Sequence, residues 1–85
     1  MTKDELRKIV EEELKNIAPE TSPADVGDGE DLREALDIDS MGFLTFITAL
    51  HQRLDVDVPE TDYRKLFTKG GAIEYLARKG RGRER

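Results

Sequence analysis

The stretch Leu36-Asp37-Ile38-Asp39-Ser40-Met41-Gly42-Phe43-Leu44-Thr45-Phe46-Ile47-Thr48-Ala49-Leu50 decides how this chain is read. From Ser40 to Leu54 the apolar residues recur with a helical period. At 100° per residue, Phe43, Ile47, Leu50 and Leu54 fall within about 60° of one another, with Phe46 and Leu44 on the flanks. That stripe predicts a central helix with one buried face. The opposite face carries Met41, Thr45, Thr48, Ala49 and Gln52, none of them charged. Ser40 stands where the periodicity begins, so its residue type suits a helix N-cap. The same place suits a covalently attached phosphate, because the first helical N–H groups and the positive end of the helix dipole stabilise an anion.

Upstream, Leu6, Ile9, Val10, Leu14 and Ile17 predict a first helix. Thr2 is its expected N-cap, with Glu5 completing a capping box, and Pro19 ends it at or before Ala18. The stretch from Glu20 to Asp31 reads as a long acidic loop, punctuated by Thr-Ser-Pro and Gly-Asp-Gly. Asp31 is placed to cap a short turn whose Leu32, Ala35 and Leu36 face inward. Downstream, Asp55-Val-Asp-Val-Pro59 is an extended connection. Thr61 and Asp62 open a short helix with Tyr63, Leu66 and Phe67. Thr68 caps a last helix holding Ala72, Ile73, Leu76 and Ala77, which Gly80 is expected to stop. The fold class is all-α: three main helices and one short one. Residues 1–79 form the domain and 80–85 a disordered basic tail.

A chain of 85 residues is one domain with a small core, burying about 60–65% of its unfolded surface. It has no Cys and one His, which excludes disulfide scaffolds, thiolate metal sites and a multi-His metal site. No apolar run approaches the roughly 18 residues of a membrane span, and no export signal is visible, so a cytoplasmic, monomeric protein is expected. Net charge is −5, and the basic residues concentrate at the end in Arg78, Lys79, Arg81, Arg83 and Arg85. The acidic body repels nucleic acid and anionic lipid and favours basic partners.

Catalysis by this chain finds no support. A Ser40 nucleophile needs a base within hydrogen-bond reach, and His51 lies eleven residues along the same helix, about 16 Å away. Setting Gly29 as the turn glycine of a calcium loop puts Ala24, Val26 and Ala35 where oxygen ligands are needed, so that match fails. No metal site is expected.

The pieces around Ser40 resemble the acyl carrier protein family. Leu36-Asp-Ile-Asp-Ser-Met41 is similar to the family's Leu-Gly-x-Asp-Ser-Leu/Met attachment motif. The helix ending Ala49-Leu50 through Leu54, the connection Val56-Asp-Val-Pro-Glu60, then Thr68 and Ala72-Ile-Glu-Tyr-Leu76 keep the family's spacing without a gap. Coverage is about residues 4 to 78. The resemblance implies a four-helix bundle of the acyl-carrier type, with the attachment serine at the start of its second helix. It implies that Ser40 receives a 4'-phosphopantetheine arm from a phosphopantetheinyl transferase that uses coenzyme A and magnesium. Asp39 would then help the transferase and its metal engage the site. Such a carrier is not an enzyme. It holds acyl groups as thioesters and hands them between the loading and transferring enzymes of its pathway. Leu44, Phe46, Ile47 and Tyr75 are the candidate lining for an acyl chain.

Three departures from the family pattern shape the expectation. Asp37 replaces a Gly, and if that position needs φ > 0 an Asp tolerates it less well than Gly does. Gly42, Thr45, His51 and Gln52 stand where fatty-acid-synthesis carriers present carboxylates, and Arg53 adds a positive charge. Docking should therefore lean on Met41, Leu44, Thr45 and Thr48, as in a carrier dedicated to a specialised polyketide, lipid or modified amino-acid route. Lys69-Gly70-Gly71 replaces better helix formers, so a loose start to the last helix is expected. The alternatives are an aminoacyl or peptidyl carrier, and an unmodified acidic helical module that binds a basic partner.

Overall fold

A computed structural model describes residues 1–83, with side chains through Lys79. Four helical segments pack into an all-α bundle: α1 (Lys3–Ile17), the single turn α2 (Leu32–Ala35), α3 (Ser40–Leu54) and α4 (Lys69–Arg83), with a 3₁₀ helix, Glu60–Leu66, between α3 and α4. A further 3₁₀ turn, Pro23–Asp25, interrupts the long loop. No strand forms among the described residues; the one β-type contact is an isolated bridge from Asp31 to Thr68.

α1 starts as expected. Thr2 Oγ accepts from the Glu5 N–H at 3.1 Å, and the Glu5 carboxylate accepts from the Thr2 N–H at 2.8 Å. That double hydrogen bond satisfies two donors the helix cannot satisfy itself, and it holds the Glu5 carboxyl below its ordinary value. Leu6, Val10 and Leu14 are buried, facing α3 and α4. The helix stops at Ile17, just ahead of Pro19.

α3 is covered by neighbours on more than one side, so its buried face is wider than a narrow stripe. Phe46 is fully buried beside Phe43, Ile47 and Leu50, whereas Leu54 is half-buried and Leu44 is exposed. In α2 only Leu32 and Leu36 turn inward. Ala35, expected beside them, faces solvent, because a single turn offers one inner edge and Ile38 fills the next place on it.

The start of α4 differs from expectation. Lys69 is buried, and its Nζ donates to Glu11 Oε2 at 2.9 Å and to the Pro23 carbonyl at 2.8 Å. One ammonium thereby ties α4 to α1 and to the long loop. Thr68 Oγ accepts from the Gly71 N–H at 3.0 Å, the cap that the sequence predicts. The two glycines serve close approach. The Gly70 N–H donates to the Asp28 carbonyl at 3.0 Å, and a Cβ on Gly71 would collide with the Lys65 carbonyl. At the other end α4 continues through Gly80 to Arg83 instead of stopping at Gly80, since glycine disfavours a helix interior by only about 1 kcal/mol. The disordered tail expected over 80–85 falls on 80–83, of which only the helical backbone is described, and on 84 and 85, which lie outside the described residues.

Candidate functional site

The approach to Ser40 is set by how α2 ends. Asp37 takes a left-handed conformation at φ 53°, and the Ile38 N–H reaches back to the Arg33 carbonyl at 2.9 Å. This is a Schellman-type helix end, in which one left-handed residue reverses the chain and an apolar residue after it packs on the helix. Ile38 fills that role and is buried. Asp37 does occupy a position that favours Gly, and a short polar side chain is among those that tolerate it best.

Asp39 follows in extended conformation and is the N-cap of α3: its Oδ1 accepts from the Gly42 N–H at 2.8 Å. Ser40 is therefore not the cap. It is the first helical residue, displaced from that role because the carboxylate one place earlier already reaches the free N–H. The consequence is that the Ser40 side chain is left exposed, and its hydroxyl makes no hydrogen bond among the described residues. The Ser40 and Met41 N–H groups, at the first two helical positions, have no intrahelical acceptor. Gly42 keeps this turn tight. A Cβ there would stand 2.9 Å from Ile38 Cγ2 and 3.3 Å from the capping oxygen of Asp39.

Beyond Ser40, the exposed side chains of α3 as far as Thr48 carry no charge. Met41 is 78% exposed and Leu44 49%. Thr45 and Thr48 are exposed, but their hydroxyls donate to the Met41 and Leu44 carbonyls at 3.0 and 2.9 Å. The charge on Arg53 is spent inside the molecule, on Glu13 at 2.9 Å and Glu12 at 2.7 Å. His51 lies at the far end of α3, with Nδ1 3.1 Å from the Val56 carbonyl and 3.3 Å from Asp57 Oδ1, where no dyad with Ser40 can form.

A cleft of about 520 Å³ opens beside Ser40. Phe43, Tyr63 and Phe67 line it, with the Phe43 ring edge-on to both others at centroid distances of 6.1 and 5.2 Å. Ser40, Leu44, Arg33 and Glu60 complete the wall. The Arg33 guanidinium stacks 3.6 Å from the Phe67 centroid and donates to both carboxylate oxygens of Asp31, from Nε at 3.1 Å and Nη2 at 2.8 Å. Those hydrogen bonds hold the Asp31 carboxyl below its ordinary value and raise the guanidinium of Arg33.

Of the four residues suggested as acyl lining, Leu44 lies on this cleft. Phe46, Ile47 and Tyr75 sit in the core behind it. Tyr75 donates its hydroxyl to Asp62 at 2.7 Å; burial, seconded by that carboxylate, pushes the phenol up to about 12. Sequence reasoning missed Arg33, Glu60, Tyr63 and Phe67 as neighbours of Ser40. They come from two segments, α2 and the 3₁₀ helix with the residue that follows it, joined where the Leu32 N–H donates to the Phe67 carbonyl at 2.8 Å.

The bundle thus presents an exposed serine on the first turn of a long helix, its hydroxyl without a hydrogen bond among the described residues. The family model described as "Phosphopantetheine attachment site" matches residues 4–67. An acyl carrier protein of Renibacterium salmoninarum is 33% identical over 72 residues, which cover 85% of this chain and 83% of that protein. One from Desulforapulum autotrophicum is 30% identical over 74 residues, covering 87% and 91% respectively. This chain belongs to the acyl carrier protein family. Its prosthetic group is 4'-phosphopantetheine, and proteins of this family are carriers, not catalysts. The residues present suit that group: an exposed primary hydroxyl, two free N–H groups beside it and space in front of it. No helix among the described residues is long and apolar enough to cross a membrane.

Proposed function

We propose that Ser40 bears the 4'-phosphopantetheine arm, that a phosphopantetheinyl transferase attaches it, and that the carrier serves a specialised pathway rather than housekeeping fatty-acid synthesis. The observation that carries this reading is the exposed hydroxyl of Ser40 on the first turn of α3, without a hydrogen bond among the described residues, with Asp39 already holding the cap. The arm supplies a thiol that holds acyl groups as thioesters. Everything else required of the chain is geometry: a fixed point of attachment, a docking face and room for the arm to move. Asp39 has a second carboxylate oxygen besides the one at Gly42, available to the transferase and its metal. Met41, Leu44, Thr45 and Thr48 form the face that pathway enzymes would grip. Its lack of charge supports a partner set that reads shape and apolar contact more than electrostatic steering.

Intact mass after incubation with coenzyme A, magnesium and a promiscuous transferase tests the attachment. The wild-type chain should gain one phosphopantetheine, and Ser40→Ala none, with stability changed by no more than about 0.5 kcal/mol because the side chain is exposed. No gain by folded wild-type protein would leave the unmodified interaction module as the better reading.

A further inference from the structure

We infer that Arg33 is a positioning residue for the arm: it binds the phosphodiester on Ser40 and lays the pantetheine along the aromatic cleft instead of leaving it free in solvent. The inference rests on attachment at Ser40. Arg33 and Ser40 line the same cleft, so the phosphate formed on that hydroxyl enters the space the guanidinium borders. The phosphate also arrives beside a carboxylate, Asp39, and a cation facing both offsets their mutual repulsion.

Arg33 is equipped for this in two ways. First, it is already fixed. Asp31 holds its Nε and Nη2, and the Phe67 ring holds its plane, so little side-chain freedom remains to be lost on binding an anion. Second, it has donors left over. No described residue accepts a hydrogen bond from Nη1, and a guanidinium has five N–H donors arranged to suit phosphate oxygens. The remainder of the cleft matches the remainder of the arm. The rings of Phe43, Tyr63 and Phe67 offer an apolar floor for the geminal methyl groups next to the phosphate, and Glu60 offers an acceptor for the amide N–H groups further along. The core behind the cleft is closed by fully buried Phe46, so an arm laid here stays at the surface, where an enzyme can lift it out.

Nuclear Overhauser measurements on the phosphopantetheinylated protein test this, with intact mass first confirming the arm on Ser40. The wild-type holo-protein should show contacts from the geminal methyls to the Tyr63 and Phe67 rings. Arg33→Met keeps the aliphatic stem and removes the cation. With its amide fingerprint otherwise native, it should lose those contacts while loading at Ser40 as completely as wild type. Two outcomes overturn the inference with attachment intact: no arm-to-ring contacts in the wild type, or contacts that survive Arg33→Met unchanged. Absence of the mass gain overturns attachment itself, and this inference with it, before any spectrum is recorded.

Discussion

The entries to α3 and α4 answer the same local problem in opposite ways. Both helices are 15 residues long, and both begin with an oxygen side chain accepting from a backbone N–H in the first turn: Asp39 from Gly42, Thr68 from Gly71. At α4 the next residue, Lys69, is buried and bolted to α1 and the long loop, and the turn is covered by the Asp28 and Lys65 carbonyls. At α3 the next residue, Ser40, is exposed, its hydroxyl makes no hydrogen bond among the described residues, and an open cleft lies beside it. This small fold places stability at the entry to α4 and access at the entry to α3. A helix start becomes a place for an anion when its neighbours leave it uncovered; the dipole is common to both ends.

Substitutions at three positions test that contrast. Phe46→Ala removes the fully buried ring behind the cleft and should cost about 3–5 kcal/mol in chemical denaturation. A cost below 1 kcal/mol would show that the core is slack rather than closed. Gly71→Ala comes next. Helix propensity alone would make it stabilising by about 1 kcal/mol. The collision with the Lys65 carbonyl should instead make it destabilising by about 1–3 kcal/mol, and a raised Tm would contradict the close approach at α4. The smallest stability effect belongs to Asp39→Ala, about 1 kcal/mol from loss of the cap. Asp39→Ser should restore that stability, since serine caps as well. Rapid transferase loading of Asp39→Ser would show that the carboxylate matters only as a cap; slow loading would assign it to the transferase.

Much of this was legible in the sequence. The capping box at Thr2 and Glu5, the stop before Pro19, the span of α3 and the Thr68 cap each rest on neighbours within one turn, where local chemistry decides the outcome. The requirement for positive φ at Asp37 could be posed from the motif and is met at 53°. What stayed hidden depends on residues far apart in the chain. Nothing in the sequence marks Lys69 as buried, because Glu11 and the Pro23 carbonyl reach it only after the bundle closes. The cleft is the same case. Arg33, Phe43, Tyr63 and Phe67 read separately as one polar turn residue and three core aromatics. They become a wall only when the Asp31–Thr68 bridge draws α2 against the start of α4. Gly70 and Gly71 read as weakness by propensity, and they are the condition for that close packing.

The identity of the cation beside Ser40 bears on how long a cargo survives. On the proposed function, the far end of the arm carries the acyl thioester; when the arm leaves the cleft and folds back, that thioester comes within reach of residue 33, and a thioester is an acylating agent. A lysine in that wall would be a tethered amine, able to take the acyl group as a permanent amide and leave the thiol empty. Arg33 delivers positive charge without a nucleophile, because a guanidinium stays protonated throughout the physiological range. The carrier can thus hold an anion at its attachment point without consuming what it carries. An acyl-loaded Arg33→Lys variant should convert over hours to a form of unchanged mass whose acyl group resists hydroxylamine. If its thioester stayed as labile to hydroxylamine as that of the wild type, the choice of arginine would have no bearing on cargo lifetime.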